Sequence, residues 1–248
     1  MTIRVLITRP REDAASLVSM LAAKGMDSVV EPLIDIVPVA DATLDLRGVQ
    51  AILLTSANGA RALAALSEAR ALPVLAVGNA TARAARAAGF ASVESAGGDV
   101  ADLARLAAAR LDPDTGMLCH IAGSAVAGDL AGRLSAAGFT VRRDVLYEAR
   151  TRDALSPVAT AALRDGALDA VLFFSPRTAA TFVTLVTRGA NRLAARCDAL
   201  AAICLSDAVA AAVAEVRWRA VHVAEAPTQV ALVARLVAEI GTPPPANG

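Results

Sequence analysis

The chain has 248 residues, 56% hydrophobic and 3% aromatic, with 24 basic and 24 acidic side chains. That length allows one or two domains with a sizeable core, and the balanced, scattered charge excludes the basic stripe of a nucleic-acid surface. No apolar run is long enough to cross a bilayer, and Cys119, Cys197, Cys204, His120 and His222 offer neither a disulfide framework nor the spacing of metal ligands. Abundant alanine favours helices packed closely on a sheet. Lys24 is the only lysine, so nearly all the positive charge is arginine, whose planar fork suits carboxylates.

The start, Thr2 to Ile7, reads as a strand and not as a secretory signal, so a soluble cytoplasmic protein is expected. Ala14, Leu17, Val18 and Leu21 then mark one face of a helix that Lys24-Gly25 closes. With Ser28 to Pro32 extended, residues 3–32 form a βαβ unit, and Leu33 to Val39, flanked by prolines, reads as an edge or linker strand. Ala51 to Thr55 starts a new series of strands that includes Val74 to Val77, Ala91 to Glu94 and Met117 to Ile121. Helices separate them, one capped by Asp99. Phe139 to Arg143 leads into the extended stretch Asp144 to Arg150, which holds the only tyrosine, with Val145, Tyr147 and Ala149 on one side. Beyond it, strands at Ala170 to Phe174, Leu200 to Leu205 and Ala220 to Ala224 alternate with helices starting near Pro157, Pro176, Ser206 and Thr228. Cys119, Cys204, His120 and His222 fall inside these strands and read as buried thiols and core histidines. Residues 242–248 read as a disordered tail.

Strands alternating with helices predict α/β architecture with parallel sheets covered on both faces. The sequence also repeats itself. Val5 to Pro10 echoes Leu118 to Ser124, Leu53 to Ser56 echoes Phe173 to Pro176, Ala76 to Ala82 echoes Ile203 to Val209, and Val93 to Ala96 echoes Val221 to Ala224. The halves divide near Asp112-Pro113-Asp114. Ile34 then corresponds to Tyr147, so the two linker strands are counterparts that could pair as a short ladder.

Taken in order, Ile7-Thr8-Arg9-Pro10, Pro32 to Ile36, Leu54 to Asn58, Ala76 to Thr81, the Tyr147 linker, Phe174-Ser175-Pro176 and Ala226-Pro227-Thr228 make the chain resemble the uroporphyrinogen-III synthase family over almost its whole length. The resemblance implies two flavodoxin-like α/β lobes joined by a two-stranded β-ladder hinge. Lobe one is expected at 1–35 plus 150–241, lobe two at 40–143, and the linkers at 33–39 and 144–150. It also implies a cofactor-free, metal-free lyase acting on hydroxymethylbilane, a linear tetrapyrrole rich in carboxylates. That substrate would lose water and close to uroporphyrinogen III with ring D inverted, in haem biosynthesis, through an azafulvene and a spiro intermediate. Its partner is that small molecule, with no nucleic acid and no membrane, and a monomer is expected. The chain departs from the family pattern at Cys204-Leu205-Ser206-Asp207, where a glycine turn like that at Gly78 is usual.

The linear substrate cyclises unaided to the uninverted isomer, so the enzyme's task would be to impose one folding of the chain. Strand-to-helix turns suit that task, because helix N-termini there present N–H groups to carboxylates. The expected binding residues are Arg9, Ser56, Asn58, Gly78, Thr81, Ser124, Ser175 and Thr228, with Tyr147 as catalytic proton or hydrogen-bond donor to the departing hydroxyl. Each has a plainer reading. Ser, Thr and Asn are ordinary helix caps, Arg9 could be a surface arginine, and Tyr147 could pack its ring with its hydroxyl in water. A two-lobed scaffold could also serve a non-catalytic tetrapyrrole- or anion-binding sensor. No strand leads into a GxGxxG or GxxxxGK[ST] loop, which disfavours nucleotide chemistry.

Overall fold

The computed structural model describes residues 2–125, 128–188 and 192–241; the expected tail at 242–248 lies outside them. The chain divides into two compact units, Met1–Asp35 with Thr151–Gly248, and Ile36–Arg150.

The first unit is built on β1 (Arg4–Ile7), β2 (Asp27–Val30), β9 (Ala170–Phe173), β10 (Ala201–Cys204) and β11 (Ala220–Val223). All pair in parallel in the order β11-β10-β9-β1-β2. Alternation along each strand feeds two cores, as expected of a sheet covered on both faces. Leu6, Val171 and Phe173 point into one, and Val5, Ile7, Ala170 and Leu172 into the other. Helices α6 (Pro157–Arg164), α7 (Pro176–Arg188) and α8 (Asp207–Ala212) serve the first core, where Phe173, Phe182 and Trp218 meet edge-on and stacked. Helices α1 (Arg11–Ala22) and α9 (Gln229–Ile240) cover the second. A 3-10 turn at Ala194–Ala199, which the sequence pattern does not signal, carries buried Cys197 into the first core.

The second unit contains β4 (Val49–Leu54), β5 (Val74–Ala76), β6 (Val93–Ser95), β7 (Met117–Gly123) and β8 (Val141–Thr151), with β3 (Ile34–Pro38) on the edge beside β8. The order is β3-β8-β7-β4-β5-β6. All but β3 are parallel. Val39 N–H donates to the Leu146 carbonyl and Arg152 N–H to that of Leu33, so β3 runs against β8. The two linker stretches are thus paired. The extended stretch 144–150 and the residues leading into it form one strand, β8, of 11 residues. Ile52 and Leu54 face a core under α2 (Ala57–Leu66) and α3 (Asn79–Ala87), while Ala51 and Leu53 face one under α4 (Val100–Arg110) and α5 (Leu130–Ala136). Asp99 starts α4 with a full capping box, its carboxylate accepting from Ala101 and Asp102 N–H while Asp102 accepts from Asp99 N–H.

The repeat explains both sheets. Counted as first to fifth, β1, β2, β9, β10 and β11 lie in the spatial order 2-1-3-4-5. Counting β7, β8, β4, β5 and β6 in the same way returns the same order. Each unit therefore takes its leading βαβ element from one half of the repeat and its last three strands from the other. The departure at Ser206 is conformationally neutral: Gly78 (φ −158°, ψ 173°) and Ser206 (φ −158°, ψ 169°) hold the same extended cap geometry, open to any residue.

Candidate functional site

In an open parallel sheet, ligands bind beyond the carboxyl ends of the strands, where neighbouring strands send the chain in opposite directions. In the second unit that point lies between β4 and β7, since β4 leads towards β5 and β7 towards β8. Thr55 and Ser56 follow β4, and Gly123 ends β7.

Tyr147 is brought there by a β-bulge. Ala122 pairs with Val145, then Gly123 with Tyr147, and Leu146 is skipped. The bulge buries two successive side chains, Leu146 in the core and Tyr147 at the site, 3% and 8% exposed. The Tyr147 carbonyl accepts from Ser124 N–H at 2.9 Å. The ring lies directly on Gly123: a Cβ there would stand 2.7 Å from Cε2 and 2.8 Å from Cζ.

Ser56 caps α2, its Oγ accepting from Gly59 N–H at 3.0 Å, and the same Oγ lies 2.7 Å from the Tyr147 hydroxyl. Thr55 Oγ1 lies 3.2 Å from His120 Nε2. His120 and Arg143 occupy one rung of the sheet on adjacent strands. Arg143 Nη2 donates to the Gly123 carbonyl at 2.5 Å. Burial, helped by the neighbouring Arg143 charge, pushes the His120 imidazole down to about 4, so it is neutral near pH 7. Together Thr55, Ser56, His120, Gly123, Arg143 and Tyr147 help line a pocket of about 170 Å³, to which Val77 and Val100 also contribute.

The first unit has its own switch point, between β1 and β9. Arg9 follows β1, donates to Gln229 Oε1 at 2.9 Å and lies 4.5 Å over the Phe174 ring. Gln229 follows Thr228 and Phe174 precedes Ser175, so the three expected residues of this unit converge on one end of its sheet. Thr228 caps α9 through Ala231 N–H at 3.2 Å, and Ser175 accepts from Thr178 N–H at 3.2 Å while also bonding that residue's hydroxyl.

Of the expected residues in the second unit, Ser56 and Tyr147 are in contact. Ser124 touches Tyr147 only through its backbone. Asn58 Oδ1 accepts from Arg61 in its own helix at 2.6 Å. Gly78 caps α3 beside the lining residue Val77, and Thr81 is buried in the first turn of that helix.

Sequence reasoning passed over Thr55, His120 and Arg143 as site residues. The signal was present for the first two: Thr55 adjoins Ser56, and His120 stands three residues before Gly123 on a strand leading into a turn. Arg143 shows nothing local, because its partners come from another strand.

Among the described residues, no group of three or more His, Cys, Asp or Glu side chains could hold a metal ion, and no helix is long and apolar enough to cross a membrane. All three cysteines are free and buried, their thiols pushed up to about 12 mainly by desolvation.

The family model described as uroporphyrinogen-III synthase HemD matches residues 15–234. Comparison with curated protein sequences finds no match. Among solved structures, the chain is similar to uroporphyrinogen-III synthetase from Helicobacter pylori 26695, with 16% identity, 96% of this chain and 99% of that chain covered, and a TM-score of 0.62. The native uroporphyrinogen III synthase of the extremely thermophilic bacterium Thermus thermophilus aligns at 20% identity over 97% of this chain and 98% of that chain, with a TM-score of 0.42.

Proposed function

The chain belongs to the uroporphyrinogen-III synthase family, lyase-type cyclases of tetrapyrrole biosynthesis, and from that premise we propose that it closes hydroxymethylbilane to uroporphyrinogen III with inversion of ring D and loss of water. The observation that carries this reading is the 2.7 Å contact between the Tyr147 hydroxyl and Ser56 Oγ at the switch point of the second sheet.

One hydrogen-bond arrangement of the pair suits the chemistry. Gly59 N–H donates to one lone pair of Ser56 Oγ, either hydroxyl of the pair can donate to the other, and in the proposed arrangement the serine proton points at the tyrosine oxygen. The tyrosine proton is then free to point at a ligand. In the proposed step it passes to the departing hydroxyl of the bilane, which leaves as water. The phenolate oxygen formed is held by the serine proton, a charge-assisted bond stronger than the neutral one it replaces. Tyr147 is thus the catalytic donor and Ser56 its positioning residue. Because His120 is already neutral, it adds no positive charge against the cation that develops on the substrate as water departs.

Arg9, Ser175 and Thr228 in the first unit, with Ser56, Asn58, Gly78, Thr81 and Ser124 in the second, are proposed to bind substrate carboxylates. Caps on Ser56 and Thr228 leave the other N–H groups of their first helical turns available for this.

The test is to supply hydroxymethylbilane and resolve the product isomers by chromatography. The inverted isomer, formed faster than the spontaneous reaction, is expected. If only the uninverted isomer appears, at the spontaneous rate, the synthase reading is wrong and a binding role on the same scaffold takes its place.

A further inference from the structure

Arg143 stands out among the charged side chains of the second unit. It is half-buried, its Nε is enclosed without a hydrogen-bond partner, and its one bond among the described residues is Nη2 to the Gly123 carbonyl. Its neighbour Asp144 does not serve it, pairing instead with Arg142 at 2.9 Å and with Cys119 at 3.1 Å. Among the described residues no carboxylate lines the pocket that Arg143 enters, and the histidine on the adjacent rung is neutral. The pocket therefore presents a guanidinium that has no carboxylate partner among the described residues and can take one from a ligand.

We propose that Arg143 anchors one carboxylate arm of the substrate in this pocket, next to the Tyr147 hydroxyl. The proposal rests on the synthase reading above. A guanidinium fork meets both oxygens of a carboxylate, which a lysine ammonium does not. The hydroxyl of Thr55 lines the same space and can donate to an oxygen lone pair that remains, while the Ser56 proton stays directed at Tyr147. At about 170 Å³ the pocket is smaller than the roughly 300–1,000 Å³ that engulfs a whole organic ligand. It fits an acetate or propionate arm, with the pyrrole ring remaining outside. Fixing that arm holds its ring beside Tyr147 in ground state and transition state alike, so Arg143 contributes mainly to substrate affinity.

Arg143 also holds the Gly123 carbonyl, so the test must separate anchoring from support of the bulge. Arg143→Gln and Arg143→Lys would be assayed for KM and kcat with hydroxymethylbilane, and separately for equilibrium binding of uroporphyrin III by fluorescence. Arg143→Gln is expected to raise KM about tenfold or more and weaken uroporphyrin III binding by a similar factor, the loss of one charge-assisted pair, with kcat changed less than about threefold. Arg143→Lys is expected to recover part of both losses. A fall in kcat with KM and uroporphyrin III affinity unchanged would assign Arg143 to the bulge alone and overturn the proposal. Should Arg143→Gln fail to fold by circular dichroism, Arg143→Lys and a crystal structure of the wild type with uroporphyrin III decide. No carboxylate within about 3.2 Å of Arg143 in that complex would overturn the proposal as well. A wild type that forms no inverted isomer defeats the synthase reading, while the uroporphyrin III affinities still decide the role of Arg143.

Discussion

Gly123→Ala is the most direct probe of how the site is held together. The glycine is not in the left-handed region, so alanine fits its backbone and only the added methyl matters. That methyl would stand 2.7 Å from Cε2 and 2.8 Å from Cζ of Tyr147. Carbon atoms rest about 3.6 Å apart, so the ring must retreat by about 1 Å. It has little freedom to do so, being 8% exposed and tied to Ser56 at 2.7 Å. The same retreat stretches that bond beyond the roughly 3.2 Å limit of a good hydrogen bond. Overpacking costs about 1–3 kcal/mol and the lost bond about 1 kcal/mol more. A displacement near 1 Å in a catalytic group can lower the rate by about 100-fold. Urea denaturation would measure the first effect and isomer-resolved turnover the second. In a Tyr147→Ala background, Gly123→Ala should cost almost no stability, since the ring it strikes is gone. A Gly123→Ala protein with wild-type stability and turnover would refute the picture of a ring seated on the glycine.

Tyr147→Phe is expected to keep the fold, lose about 1 kcal/mol for the bond to Ser56, and retain less than about a tenth of the turnover. Near-normal turnover would make Tyr147 a structural residue. For His120 the folded-state value of about 4 lies below the ordinary 6.5, so between those values the unfolded chain binds a proton that the folded chain refuses. Its contribution is complete above about pH 6.5 and fades as pH falls towards 4, on the order of 3 kcal/mol in all. His120→Gln should flatten that part of a stability–pH curve from urea titrations, and parallel curves would exclude the effect. Glu31, buried at the end of β2, accepts from Ser156 N–H at 2.8 Å and from its hydroxyl at 2.5 Å. Glu31→Ala leaves those donors without a partner and should destabilise by about 3 kcal/mol in equilibrium unfolding, with turnover per folded molecule unchanged.

Much of the architecture could be read from local pattern. Val5-Leu6-Ile7 and Ile52-Leu53-Leu54 are unbroken apolar runs because both faces of their strands are covered, and Asp99, Pro157 and Thr228 mark helix starts through backbone chemistry alone. The repeat anticipated two related halves, and the shared strand order of the two sheets follows from it once the pairing is seen. What remained hidden depended on which side chains meet once the strands are paired. Arg142-Arg143-Asp144 interrupts the apolar alternation, yet the strand continues through it because Arg142 and Asp144 neutralise each other two residues apart on one face. Strict alternation also could not show that a bulge buries Leu146 and Tyr147 together, or that the bulge lets the ring settle on Gly123. His120 was correctly read as buried, but burial and site membership are not exclusive: the packing that hides it from water also keeps it uncharged beside Arg143.

The exchange of βαβ elements has a consequence for synthesis on the ribosome. Val5 must wait for Ala170 before its strand gains its inner neighbour, whereas the strands of the second unit all lie within one continuous segment of 36–150 and its immediate flanks. Pairing across so long a loop is slow, and nearby pairing is fast. The middle of the chain should therefore mature while the amino-terminal βαβ element is still unsatisfied and exposes apolar surface to chaperones. Nascent chains arrested after Thr151 are expected to yield a protease-resistant fragment spanning roughly 36–150 and to lose their first 30 or so residues quickly. Protection of those first residues before β9 emerges would show that assembly follows another order.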